Sequence, residues 1–343
     1  MNPILNITLV PFLISLVISL VATPLTVGLF KKRDWLIDPK KSPHPAHIHK
    51  EPVPKGGGLP IYLAILITSL LLFQGDKHIG AILIAGLFTL VVGLVDDVKG
   101  VSPYWRLVMN FGASLIIVAS GIGISFITNP AGGIIDISGW LLADLFALIW
   151  IPALMNAINW SSGVDGQISG VVTIAALFLG AVSLSYSADI TQWPVAILAF
   201  SLAGAFAGLT VFHFYPQKIM PGYSATSLAG LMLGVISILA TGKVGTALMV
   251  LAIPLIDFGY IIFRRVATGK SPVWGDSDHL HHKLMRIGWG KRRIAIFYWG
   301  ITFVLGMIAL RYDARIKILI MIGLVLLMAL FWIWQYYGRF SKR

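Results

Sequence analysis

The 343-residue chain is 57% hydrophobic and only 12% charged, which excludes an ordinary soluble domain and marks a polytopic membrane protein. It has no cysteine, so disulfides and thiolate metal centres are excluded. The formal net charge of +12 invites a nucleic-acid partner, but the basic residues are distributed as membrane topology requires, and no nucleic acid is expected.

A spanning helix needs roughly 20 mainly apolar residues, and eleven such runs follow one another. They cover 5 to 30, 58 to 74, 78 to 95, 105 to 128, 139 to 160, 165 to 186, 192 to 214, 224 to 241, 244 to 263, 294 to 311 and 315 to 337. The pattern predicts an all-α fold of about eleven transmembrane helices in one membrane-embedded domain, 1 to 343. The first run lacks a basic leader and a small-residue cleavage site and outruns the apolar core of a signal peptide, so it reads as a retained helix. Taking the loops alternately, 21 of the 26 Lys and Arg fall on one side; Lys77, Lys243, Arg311, Arg315 and Lys317 fall on the other. This bias predicts an outside N-terminus, a cytoplasmic C-terminus and cytoplasmic loops at 31–57, 96–104, 160–165, 215–223 and 264–293. Trp332, Trp334, Tyr336 and Tyr337 fit an aromatic belt at the inner interface.

The polar motifs can then be asked which side they occupy. In the first loop, His44, His47 and His49 precede "KEPVPKGGG"; three glycines before a helix can bring backbone N–H groups close to a phosphate, and a plain Pro/Gly loop has the same composition. In "VDDVKG", Asp96 and Asp97 end the third run. Adjacent carboxylates repel unless a cation is near, and Mg²⁺ suits them because it takes one or two carboxylates and completes its shell with water and phosphate oxygens. Helical neighbours diverge by about 100°, so the two acids can serve different purposes; two solvated acids at a helix end are the bland alternative. In "NAINWSSGVDGQ", Asn156 and Asn159 share a helical face and Asp165 lies between two glycines that permit a tight reversal. Polar groups at this depth need a cavity or partners, so the stretch reads as a polar pocket, with a capped interhelical turn as the simpler account of Asp165. Finally, "GDSDHLHHKL" brings Asp276, His279, His281 and His282 among Arg264, Arg265, Lys270, Lys283, Arg286 and Lys291 to Arg293. Without cysteine a structural zinc site is unattractive, and so many cations suit a nucleotide diphosphate or, alternatively, acidic lipid. All four motifs lie on the predicted cytoplasmic side, while the outer loops hold scattered single charges. A one-sided site is implied.

In this order, "GLVDDVKGVSP", "NAIN…GVDG", "PLIDFGYIIFRRVATGKSP" and the D-x-x-H-x-H-H-x-L pattern of Asp276 to Leu284 resemble the polyprenyl-phosphate N-acetylhexosamine-1-phosphate transferase family. The last motif and the helix count look more like its N-acetylglucosamine branch than its muramoyl-pentapeptide branch. The resemblance implies transfer of a sugar 1-phosphate from a UDP-sugar to polyprenyl phosphate at the cytoplasmic face of the cell membrane, with UMP released, Mg²⁺ required, a cell-envelope glycan initiated and a homodimer as a possible assembly. By similarity, Asp96, Asp97 and Asp165 are the catalytic candidates, and Asp97 and Asn159 the metal contacts. His49, Asn156, Asn159, Asp276, His279, His281 and His282 are the substrate-binding candidates. Two positions depart from the family: Tyr223 stands where an aspartate is usual in "HFYPQKIMPGYSAT", and Ser162 replaces another. Tyr104 also sits where a lysine is common, and Arg106 keeps a cation after the Asp pair. An active transferase with a rearranged metal site is therefore the first expectation. A silent relative that binds lipid phosphate or nucleotide is the second, and a transporter the third, disfavoured because only Asp144 and Asp257 fall inside predicted spans.

Overall fold

Asp, Glu, Lys and Arg are nearly missing from the long runs, so backbone polar groups there must bond within their own segment, which in lipid leaves the helix. The computed structural model describes residues 3–37, 52–73, 75–124, 126–129, 132–137, 139–185, 190–240, 244–274 and 278–340. Among them the helices are α1 (Pro3–Lys32), α2 (Gly58–Leu72), α3 (Lys77–Lys99), α4 (Pro103–Ala119), α5 (Trp140–Trp160), α6 (Gln167–Leu184), α7 (Trp193–His213), α8 (Gly222–Leu239), α9 (Val244–Val250), α10 (Ala252–Ala267), α11 (Leu280–Arg286), α12 (Lys291–Arg311) and α13 (Ala314–Phe340). Two short antiparallel pairs complete the description. β1 (Leu36–Ile37) aligns with β2 (Val53–Pro54) in the register Leu36 to Pro54, and β3 (Phe126–Thr128) with β4 (Ile134–Asp136) through Ile127 and Ile135.

Every predicted run contains a helix, but not every helix is a full span. Among the described residues eight helices are long and apolar enough to cross a membrane, and the bent pair α9–α10 makes a ninth if it counts as one. At about 1.5 Å per residue, the 15-residue α2 reaches about 22 Å, short of a bilayer core of roughly 30 Å. The fourth run, expected to reach 128, stops at Ala119, where Ser120 Oγ donates to the Ile117 carbonyl and Gly121 takes a left-handed φ of 89°. The ninth run breaks by 83°. Pro254 has no N–H to give the Val250 carbonyl, and its ring crowds that carbonyl, so the helix turns there.

The core is built around α8, buried from Tyr223 through Ile238 and packed chiefly on α5, α3 and α2. Small residues permit this. A Cβ on Gly230 would lie 2.3 Å from Met155 Cα, and one on Gly93 2.3 Å from Ser224 Cα, so α5 and α3 approach α8 backbone to backbone. Around this centre α1 packs on α7 and α2, α7 on α6, and α6 on α12. α13 is peripheral, with Leu319, Leu326, Leu327 and Leu330 exposed, and α1 shows Val17, Val21 and Leu25 outward. In a membrane these faces meet lipid, so they need no protein partner.

Gly230→Ala should lower the thermal midpoint of the detergent-solubilised protein, because a methyl in that contact costs about 1–3 kcal/mol in overpacking. Gly80→Ala, where nothing lies within 4 Å of the added carbon, should leave the midpoint unchanged or raise it.

Candidate active site

Helix α8 begins inside the protein, so its first N–H groups need buried acceptors. Asp97, from the last turn of α3, supplies them. Its Oδ1 accepts from Tyr223 N–H at 2.7 Å, and its Oδ2 from Ser224 N–H at 3.2 Å and Ser224 Oγ at 2.5 Å. A carboxylate at a helix N-terminus also meets the positive end of the helix dipole. Gly222 makes room for it: φ is +71°, and a Cβ there would sit 2.4 Å from both Asp97 oxygens. Ser224 Oγ in turn accepts from Gly58 N–H at 3.1 Å, and a Cβ on Gly58 would strike Ser224. The glycines before α2 thus serve close packing here, with the Gly58 N–H directed at Ser224.

Asp96 turns the other way, as helical neighbours do. Its Oδ1 accepts from Val101 N–H at 2.8 Å and forms an ion pair with Arg106 Nε at 2.7 Å. Arg106 also lies over the Tyr223 ring, 5.2 Å from its centroid. The Tyr223 hydroxyl donates to Asn110 Oδ1 at 2.7 Å and approaches the Arg106 carbonyl at 3.2 Å. That hydroxyl is therefore directed into α4, and Tyr223 ties α8 to the segment that carries Arg106.

Asn156 and Asn159 are both half-buried, as the shared face predicts. Asn159 Oδ1 accepts from Thr226 Oγ1 at 2.9 Å in the first turn of α8, whereas Asn156 Nδ2 bonds back to the Pro152 carbonyl at 2.7 Å. Ser162 Oγ caps its own helix through the Asn159 carbonyl at 2.7 Å. Asp165 is buried; Lys291 Nζ lies 3.0 Å from its Oδ1, and Gln217 N–H points at its Oδ2 at 3.5 Å. Asp165 therefore joins the α5–α6 turn to the loops that open α8 and α12.

The histidine segment folds against the same turn. A Cβ on Gly163 would lie 2.0 Å from His281 Nε2, and His281 Nδ1 is buried with no hydrogen-bond partner among the described residues. The His279 and His281 rings are parallel at 5.5 Å, with His282 4.3 Å beyond, and the Trp160 ring meets His279 edge-on at 5.9 Å. Asp278 is clamped by Arg264 and by Arg286 Nη2 at 2.6 Å. Lys283 is buried beside the stacked pair of Tyr260 and Trp332, 4.6 and 5.4 Å from their ring centroids. The Tyr104 hydroxyl lies 3.0 Å from Ser271 Oγ, so the first turn of α4 touches the segment after α10.

The described parts of the five predicted cytoplasmic loops thus form one connected set of contacts, the first loop joining through Met220 N–H to the Pro54 carbonyl at 2.9 Å, and Asp96, Asp97, Asn159, Asp165, His279, His281 and His282 lie within it. Asn156 shares the face but bonds only to its own helix. His44, His47, His49 and Asp276 lie outside the described residues. Asn110, Ser224, Thr226, Asp257 and Asp278 belong to no role read from the sequence, and Lys291 was read only among the loop's cations; a polar residue in an apolar helix was the available signal for Asn110 and Asp257. Among the described residues no three His, Asp or Glu converge as a ready metal cage. Mg²⁺ does not require one, since it binds through one or two protein oxygens plus phosphates and water. With two lone pairs per oxygen, Asp97 Oδ1 and Asn159 Oδ1 each retain one after the bonds above, so the donor set fits such an ion.

Burial and the charges of His279 and Arg286 lower His282 to about 4, and burial also holds His281 well below 6.5. The folded segment then binds fewer protons than the unfolded chain between about 4 and 6.5, so its stability rises with pH there and falls on acidification. Burial alone would raise Asp278, but hydrogen bonds from Arg286 and Arg264 hold it down at about 2; its contribution is full above 3.8 and is lost as pH falls toward 2. Amide-exchange protection over Leu280–Arg286, corrected for intrinsic rates, should therefore fall between pH 7 and 4 while that of α8 holds. Separately, Tyr223→Phe leaves Asn110 Oδ1 without its buried donor and should destabilise the protein by about 1–3 kcal/mol, read as a lower thermal midpoint.

A model of glycosyl transferase family 4 matches residues 79–241, from α3 through α8. The decaprenyl-phosphate N-acetylglucosaminephosphotransferase of Mycolicibacterium smegmatis is 30% identical over 294 residues, covering 75% of this chain and 71% of the relative. Its Mycobacterium tuberculosis counterpart is 27% identical over 321 residues, covering 82% and 78%. The phospho-N-acetylmuramoyl-pentapeptide-transferase of Chlorobium luteolum is 27% identical over 329 residues, covering 84% and 88%. On these matches the chain belongs to glycosyl transferase family 4, on its N-acetylglucosamine-1-phosphate transferase branch, and is a membrane phosphoglycosyltransferase.

Proposed function

We propose that the protein transfers N-acetylhexosamine 1-phosphate from a UDP-sugar to polyprenyl phosphate at the cytoplasmic face of the cell membrane, releasing UMP and starting a cell-envelope glycan. The observation that carries this reading is that the described parts of the five loops form one connected set of contacts holding Asp96, Asp97, Asn159, Asp165 and the histidine segment, beside exposed apolar helices suited to a lipid chain. In the reaction an oxygen of the lipid phosphate bonds to the sugar-bearing phosphorus of the donor. The bond from that phosphorus to the bridging oxygen breaks, and UMP leaves with the electron pair. One phosphoanhydride replaces another, so catalysis is mainly positioning and charge neutralisation.

Each residue has a part in that reading. Asp96 Oδ2 carries no hydrogen bond from the described residues, so Asp96, held by Arg106, is the group to orient the acceptor phosphate. Asp97 holds the N-terminus of α8 and, with Asn159, keeps the oxygen lone pairs that Mg²⁺ would use; a bound ion would supply neutralisation of phosphate charge. Asp165 with Lys291, and the segment of His279, His281 and His282, face the nucleotide and diphosphate. Asn156 lines the same face, and His49 and Asp276 remain substrate-binding candidates by similarity. The whole chain acts as one membrane-embedded domain, with a homodimer as its assembly.

A second reading, a member that binds lipid phosphate or nucleotide without turnover, is favoured by one feature: the Tyr223 hydroxyl is engaged by Asn110, and a neutral phenol is a poor Mg²⁺ ligand. Purified protein given UDP-N-acetylglucosamine, polyprenyl phosphate and Mg²⁺ should release UMP, and Asp96→Asn should reduce the rate by about 100-fold or more with little change in thermal midpoint. Absence of UMP with every UDP-amino-sugar tried would select the silent reading. Tyr223→Asp should leave activity flat or lower, because it removes the ring beneath Arg106; a rise in activity would mean that the tyrosine marks a lost ligand.

A further inference from the structure

Asp257 is a carboxylate inside an apolar helix, and no role above uses it. It is 1% exposed, in the second turn of α10 just past the bend. Its Oδ2 lies 2.7 Å from His279 Nδ1, and its Oδ1 accepts from Leu280 N–H at 2.8 Å. A buried carboxylate is costly unless paired, and it can only accept hydrogen bonds. The 2.7 Å contact therefore requires the proton on His279 Nδ1, which leaves Nε2 as the atom with a free lone pair. No hydrogen bond from the described residues takes that Nε2. The edge-on Trp160 ring and the parallel His281 ring hold the imidazole plane. The titratable groups around the pair are His281, His282 and Lys283 of α11 and Tyr298 of α12, with Asp278, Arg264 and Arg286 beyond them.

We propose that Asp257 is a positioning residue for the transfer reaction: it fixes His279 in the Nδ1–H tautomer and, when Nε2 picks up a proton from bulk solvent, supports the resulting imidazolium as a counter-charge to the donor diphosphate. The proposal rests on the transferase reading for the identity of the anion. A carboxylate behind an imidazole is the arrangement that orients the ring and stabilises its charged form without itself becoming protonated. Supporting groups of this kind change affinity or rate by about 10- to 100-fold when removed.

The test begins with the wild-type protein in lipid nanodiscs, labelled with ¹⁵N-histidine, the His279 resonances being assigned by their loss in His279→Gln. At neutral pH His279 should show the Nδ1–H tautomer; the Nε2–H tautomer would overturn the proposal, with no variant needed. In Asp257→Asn the amide oxygen still takes Leu280 N–H, which turns the amide nitrogen toward His279 and forces the proton onto Nε2. That variant should show the switched tautomer, lose about 10- to 100-fold in kcat and keep KM for the UDP-sugar within a fewfold. Combined with His279→Gln it should be no slower than His279→Gln alone, since the two act as one unit. Multiplying effects, or a switched tautomer with unchanged kcat, would sink the idea. If wild-type protein releases no UMP from any UDP-sugar, the transferase reading fails, while the tautomer still decides what Asp257 does to His279.

Discussion

A helix that starts in the protein interior exposes several N–H groups to a medium that cannot satisfy them, and here one carboxylate from a different helix does so. The hydrogen bonds that Asp97 accepts from Tyr223 and Ser224 fix where α8 begins, and α8 is the central helix on which α5, α3 and α2 pack. Gly222, Gly93 and Gly58 are the sterically required companions of that bond set, because a side chain at any of them would collide with Asp97 or Ser224. The neighbouring Asp96 is released by the same helical geometry to meet Arg106. One pair of adjacent acids thus sets the frame with one member and holds Arg106 with the other.

This frame gives the departure at Tyr223 a physical sense. Its backbone N–H is held by Asp97 while its side chain bridges to Asn110 and underlies Arg106. A phenol cannot supply the charge of a carboxylate, but it can fix a guanidinium in place through the ring face. The positive charge near Asp96 is then held by packing as well as by pairing.

The apolar runs and their order were legible because lipid demands helices of a given length and composition, and all eleven runs contain helix. Ends were less legible: Ala119 closes α4 nine residues before the apolar run does, since hydropathy does not register the left-handed glycine at 121. The paired acids, the two asparagines and the histidine triplet stood out as polar residues in costly places. Their partners did not, because Thr226, Ser224 and Asn110 are ordinary helix residues until packing across the interface brings them to Asn159, Asp97 and Tyr223. The triple glycine suggested a phosphate cradle on local grounds. The packed structure uses its last member to admit Ser224, a contact 166 residues distant that no local pattern encodes.

A hydropathy profile treats depth in the bilayer as a simple function of position along the chain, and the elbow at Leu251 breaks that relation. By turning through 83°, one greasy segment changes heading partway, and an acid that reads as stranded mid-membrane is delivered to a partner 22 residues onward. Where a kinked segment carries a lone ionisable group, the angle itself belongs to the chemistry: straightening it would move the charge away from the group it serves without altering a single atom of either side chain.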